Sequence, residues 1–170
     1  MRSTFHHLLL CIILSAVSLP SFGQKNHYYA PREGRFSINF PEGYTITADS
    51  GQDAITIKAE CYAENEYYLA SYTKLPAVLE ETKELTQLSL EFFKEAVQAR
   101  ELTKEEWNIE GHSGLAAYLI MTEEEARIVY RVIIAGDILY QLAYLADNNV
   151  FSKENANAFI STFELSDLQY

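Results

Sequence analysis

Three apolar-rich runs set end to end, Leu115–Thr122, Ala126–Ala135 and Ile138–Ala146, limit this chain more than any other feature. Each has the length and the β-branched and aromatic content of a strand. The connectors Glu123–Glu124 and Gly136–Asp137 have room only for hairpin turns, so the runs predict an antiparallel meander. In the third run Leu139, Ala143 and Leu145 alternate with Ile138, Tyr140, Leu142 and Tyr144, which leaves both of its faces apolar. Such a strand lies in the centre of its sheet and needs cover on both sides.

Further strands precede the meander. Phe36, Ile38 and Phe40 fall on one face of Arg35–Phe40, a Pro41-Glu42-Gly43 turn follows, and Tyr44–Ala48 begins the next strand. Ala54–Ala59 and Glu66–Tyr72 continue the alternation, and Trp107–Glu110 leads through a Gly111-His112-Ser113-Gly114 turn into the meander. Between these blocks the period becomes helical. From about Leu79 to Glu101, Leu85, Leu88, Phe92, Ala96 and Ala99 recur at spacings of three and four, with Ser89, Phe93 and Val97 beside them. Glu80, Glu81 and Glu84 sit where the helix dipole favours acids, and the apolar stripe predicts packing on a sheet. A last helix over Lys153–Phe163 presents Ala156, Phe159, Ile160 and Phe163. The pattern predicts an α+β fold: a largely antiparallel sheet of six to eight strands with a long middle helix and a C-terminal helix packed on it, an α/β/α sandwich.

The first residues carry a different kind of information. Arg2 precedes an apolar stretch, Leu8–Val17, too short for a bilayer span, which needs about 20 residues. Pro20 breaks it, and small residues at Ser21 and Gly23 precede polar Gln24. This predicts a signal peptide over residues 1–23, cleaved between Gly23 and Gln24, and a secreted or periplasmic mature chain with no membrane span. Cys11 lies inside the apolar stretch behind Leu10, which does not fit a lipobox. A polar leader over 24–34 and a single globular domain over 35–170 follow. With 24 acidic against 13 basic residues, the chain is poorly suited to nucleic acid or anionic lipid. Cys61 is the single cysteine of the mature chain, so no internal disulfide forms, and its alternating apolar context predicts a buried thiol.

Catalytic readings find little support. Gly111-His112-Ser113-Gly114 is one residue short of a nucleophile elbow, joins strand to strand and has no later histidine. His27, His112 and Cys61 are too scattered for zinc, and Asp49-Ser50-Gly51-Gln52-Asp53 lacks the alternating acids and closing Glu of a calcium loop. Glu80-Glu81 and Glu123-Glu124-Glu125 read as solvated or dipole-matched acids. No phosphate loop exists, so no catalytic residue, metal or cofactor is expected. The chain holds 12 tyrosines; those in the strands, from Tyr67 to Tyr144, suit half-buried sheet positions.

The order of elements, with Phe36-Ser37-Ile38-Asn39-Phe40-Pro41-Glu42-Gly43-Tyr44, Gly111 and Gly114, Gly136-Asp137-Ile138-Leu139-Tyr140-Gln141-Leu142 and Phe159-Ile160-Ser161-Thr162-Phe163, resembles the PsbP-like α/β/α sandwich superfamily. That superfamily includes a photosystem II extrinsic subunit, a Ran-binding nuclear import factor and periplasmic DcrB-like lipoproteins. The resemblance covers residues 35–165 and makes 35–170 one PsbP-like domain. Its motifs are packing and turn motifs, so it implies a fold and a mode of action by binding proteins. The signal peptide excludes the nuclear branch and favours a protein of the cell envelope as partner. The resulting expectation is a secreted or periplasmic, non-catalytic protein-binding domain. Its alternatives are a pocket for an apolar small molecule between sheet and helix, and a hydrolase built on two converging carboxylates.

Overall fold

The computed structural model describes residues 27–50, 54–79, 82–122 and 126–166. The signal stretch with Gly23 and Gln24, the acids Glu80, Glu81 and Glu123–Glu125, and the second half of the Asp49–Asp53 loop lie outside these residues.

Seven strands form one antiparallel sheet: β3 (Thr45–Ser50), β4 (Ile55–Ala63), β5 (Glu66–Lys74), β6 (Ala99–Ile109), β7 (His112–Met121), β8 (Ala126–Ala135) and β9 (Ile138–Asp147), in the order β3-β4-β5-β9-β8-β7-β6. The meander β7-β8-β9 is present as the sequence predicts, and the two-faced strand β9 is the central one. Three short strands, β1 (Tyr28–Tyr29), β2 (Phe36–Asn39) and β10 (Glu164–Leu165), make a second small sheet. Within the stretch read as a polar leader, Tyr29 is therefore buried in the core. The helices are α1 (Lys83–Ala96) and α2 (Lys153–Ile160).

Each face of the large sheet has its own core. On one, the small sheet and α2 press Phe36, Ile38, Phe40, Phe159 and Phe163 onto Tyr68, Tyr72, Tyr140, Leu142 and Tyr144. On the other, α1 brings Leu90, Phe93 and Val97 against Leu119, Ile128, Tyr130 and Val132. The Phe93 and Tyr130 rings stack with centroids 4.2 Å apart.

Four sequence expectations need correction. The middle helix ends at Ala96, not Glu101: the Val97 and Gln98 N–H groups close on Phe93 and Glu95, and Gln98 turns left-handed at φ 51°. Ala99 then starts β6, a strand of 11 residues where only Trp107–Glu110 was expected. Its charged sequence hid it, because an edge strand with one wet face lacks the apolar alternation of the interior strands. Gly114 is not a turn residue. The turn is made by Glu110 and Gly111, both at positive φ, while Gly114 lies inside β7 where a Cβ would sit 2.2 Å from the Val132 carbonyl oxygen. Glycine there lets β7 and β8 approach. Finally, α1 does not bury the stripe that predicted it: Thr86, Ser89 and Leu90 are its buried residues, whereas Leu88 and Phe92 are exposed.

Candidate functional site

That exposed stripe walls a groove. Helix α1 rests over β6, β7 and β8, and the same sheet face stays open over β3, β4 and β5. Opposite residues of an antiparallel pair share a face, so the floor can be read off the register in four rows. They are Thr56–Thr73–Leu139, Lys58–Ser71–Gln141, Glu60–Leu69–Ala143 and Tyr62–Tyr67–Leu145. Leu85, Leu88, Phe92 and Ala96 form the helical wall, and the cavity measures about 410 Å³.

The helix supplies this wall because it is apolar on two sides. At 100° per residue the Leu85–Leu88–Phe92–Ala96 stripe lies about 130° around the axis from the core-facing stripe through Leu90, Phe93 and Val97. Leu88 remains 47% exposed and Phe92 62%. An apolar stripe beyond the core-facing one has no intramolecular role once the first is satisfied.

A polar chain crosses the floor at its middle row. The Ser71 hydroxyl donates to Gln141 Oε1 at 3.3 Å, the Gln141 amide donates to Ser89 Oγ at 2.6 Å, and Ser89 lies 3.1 Å from the Tyr130 hydroxyl. Burial raises the Tyr130 phenol, against the hydrogen bonds from Ser89 and Gln141. At the edge Glu60 accepts from Tyr67 at 2.6 Å and from Thr47 at 3.2 Å. Burial, with the Glu60 charge beside it, pushes the Tyr67 phenol well up. Neither serine has a base: Gln141, an amide that takes no proton, partners both, and the other neighbour of Ser89 is the Tyr130 phenol, which burial keeps protonated. The groove can bind an apolar surface and orient polar groups along it; it has no activated nucleophile.

The residues weighed in the sequence lie elsewhere. Ser113 is exposed, 2.6 Å from Asn108 Oδ1 and 2.9 Å from Glu106 Oε1, in a strand on the outer part of the sheet. Asp49 pairs with Lys58 at 3.5 Å. Cys61 is buried, and desolvation pushes its thiol up, with the Glu42 backbone hydrogen bond opposing and the Glu42 charge adding to the rise. Among the described residues no group of three or more His, Cys, Asp or Glu could hold a metal. No helix among them is long and apolar enough to cross a membrane. Sequence reasoning missed Lys58, Ser71 and Gln141 as groove residues, since in a strand each reads as an ordinary polar position. The usable signal was the second apolar side of α1.

A second cleft, about 430 Å³, lies where the β4–β5 hairpin meets α2. Its lining includes Glu66, which accepts from Tyr68 and Tyr144 at 2.6 Å and from Asn155 at 2.8 Å. Burial pushes this carboxyl up, yet the bonds from Tyr144, Tyr68 and Asn155 outweigh it and hold the group below the usual range. These groups satisfy one another and tie α2 to the sheet.

An antiparallel sheet with α1 on one face and a small sheet plus α2 on the other defines an α+β sandwich of the PsbP-like kind. The solved structure of cyanobacterial PsbP from Synechocystis superposes with a TM-score of 0.61 at 11% identity, over 87% of this chain and 97% of that one. A Bacteroides thetaiotaomicron protein is also similar, with a TM-score of 0.43 at 15% identity, over 86% of this chain and 51% of that one. No family model and no curated protein matches the sequence. The likeness is one of fold.

Proposed function

We propose that this protein is a non-catalytic binding domain acting outside the cytoplasm, and that the α1 groove receives an amphipathic helix of a partner protein of the cell envelope. The observation that carries this reading is the Leu85–Leu88–Phe92–Ala96 stripe, exposed at Leu88 and Phe92, beside an uncovered sheet face. The dimensions fit a helix. From β3 to β9 the open face is three strand spacings, about 14 Å, and a helix with side chains is about 10–12 Å across. From Thr56 to Tyr62 the floor runs about 20 Å, the length of about 13 helical residues. A guest helix would lie beside α1 and complete the helical layer on that face, with a polar residue meeting Gln141 halfway along. The apolar character of the α1 stripe, set against the wet face of β6, supports this side as the contact. The N-terminal stretch before Gln24 supports action outside the cytoplasm.

The test is a photo-crosslinking residue placed at Phe92 and, as a control, at Leu102 on β6, in the protein's own organism. A discrete protein adduct at position 92 and none at 102 is the expected result. The captured segment, made as a peptide, should then bind the purified domain and gain helicity. Equal labelling at the two sites overturns the assignment. A second reading rests on the cavity volume, which falls within the 300–1,000 Å³ typical of small-ligand sites. Native mass spectrometry showing a retained apolar molecule, lost on substitution of Phe92, would establish that reading instead.

A further inference from the structure

On the opposite face, away from the groove, the sheet holds a cluster of cations that neither the core nor the proposed function uses. Arg131 is only 7% exposed. It stands in the row Glu105–Ala116–Arg131–Leu142, and one row along comes Thr103–Tyr118–Val129–Tyr144. Its guanidinium lies 5.6 Å from the centre of the Tyr118 ring, and Nη1 donates to the Tyr130 carbonyl at 3.0 Å. Lys153, from the first turn of α2, reaches the same ring at 5.3 Å. Arg127 lies on this face as well, with Nε donating to Asn148 at 2.7 Å and its guanidinium 5.8 Å from Phe151.

Three physical arguments set this cluster apart. Among the described residues Arg131 has one carbonyl acceptor and no carboxylate within ion-pair distance, and none of its buried nitrogens lacks a partner, so its unpaired nitrogens open to solvent where an anion can reach them. Two cations drawn to one ring repel each other, and only a negative charge between them turns that into attraction. Lys153 is also the first helical residue of α2, where the dipole disfavours a cation. In a chain of net charge −11, such placements at one point are a poor choice for stability alone. The acids near the cluster are exposed Glu105, in the Arg131 row, and exposed Glu154, which accepts from Ser152.

We propose that Arg131 and Lys153, converging on Tyr118, form a binding site for a single oxyanion, a phosphate or carboxylate group. Arg131 supplies the planar fork that grips two oxygens, and Lys153 supplies a mobile point charge at the solvent side. Tyr118 is the ring that both cations reach, at 5.6 Å and 5.3 Å from its centre. Occupancy would also fasten the start of α2 to β7 and β8.

The test uses the whole mature domain, with inorganic phosphate and sodium acetate titrated separately at constant ionic strength. The readout is the NMR signals of the Arg131 side-chain Nε–H and the Tyr118 and Lys153 amides. Saturable shifts at these three positions, at about 1–10 mM for an isolated oxyanion, are expected from at least one of the two anions. The tighter anion identifies the group the site takes. Lys153→Gln, a change on an exposed side chain, should weaken binding at least fivefold, while Lys83→Gln at the exposed start of α1 leaves it unchanged. No saturable shift with either anion overturns the site, and so does equal weakening by Lys153→Gln and Lys83→Gln. Binding seen only in Glu105→Gln would show that Glu105 is the native counter-ion and would overturn it too.

Discussion

The two faces of the large sheet differ in how completely they are used. On the α2 side, the small sheet, the helix and the 151–165 segment seal an aromatic core. Phe36 alone meets the rings of Tyr29, Tyr72, Tyr140 and Phe163 at centroid distances of 5.4 to 6.0 Å. Two buried tyrosines there are tied by their hydroxyls: Tyr140 donates to the Gly34 carbonyl at 2.9 Å and Tyr144 donates to Glu66 at 2.6 Å. On the α1 side the core is mostly aliphatic around the Phe93–Tyr130 stack, closed over β6–β8 and open over β3–β5. Among the described residues Cys61 is a free thiol, so this part of the chain draws its stability from packing, most of it on the sealed face. The contrast teaches that burial on one side permits exposure on the other.

The first way to break this comparison is to open the sealed face. Phe36→Ala should cost about 4 kcal/mol, as expected for a fully enclosed phenyl ring, and be read in urea midpoints. A cost under about 1 kcal/mol would mean that this face is not where stability resides. Gly114→Ala should follow at about 3 kcal/mol, because the Val132 carbonyl blocks the new methyl and β7 must separate from β8.

Glu66, on the sealed face, responds to pH. Its carboxyl is held below the usual range in the folded state, so the unfolded chain binds the proton more readily. The stabilisation is fully present above the unfolded value of about 4.3 and is lost as pH falls through the lowered folded value. Glu66→Gln should therefore cost about 2 kcal/mol at pH 7 through three weakened charge-assisted bonds. Below pH 3 the gap to the wild-type protein should narrow. A gap that stays constant from pH 7 to pH 3 would show that the Glu66 charge contributes nothing.

Most of the sealed face was legible in the sequence and most of the open one was not, for a physical reason. Phe36, Ile38, Phe40, Tyr140, Tyr144 and Phe159 alternate or recur because they are buried, and burial is what apolar periodicity records. The meander, the central place of β9 and the two helices followed from the same signal. The short strands β1 and β10 carry too few residues to show a period. The register shift between Glu101 and Thr103 in β6 also breaks alternation where it would have marked a strand. The site was hidden differently. The stripe Leu85–Leu88–Phe92–Ala96 is the strongest helical signal in the chain, and it pointed to a surface beyond this chain's own core. Periodicity states that a surface is apolar; it does not state which molecule covers it.

The smallest expected effect on stability is the most informative. Leu88→Gln with Phe92→Gln replaces two exposed apolar side chains by a good helix former, so α1 keeps its propensity and its buried stripe through Leu90, Phe93 and Val97. Unfolding free energy should change by less than about 0.5 kcal/mol, as for surface positions in general. Partner binding should fall at least a hundredfold, since two central apolar anchors are removed from the contact. The same double change on a closed core would destabilise the fold by several kcal/mol, which makes the two faces separable in one experiment. If the double variant loses stability like Phe36→Ala, the stripe is covered within this chain and the open face is closed in solution. If it keeps both stability and binding, the partner sits elsewhere on the molecule, and the groove loses its claim to be the site.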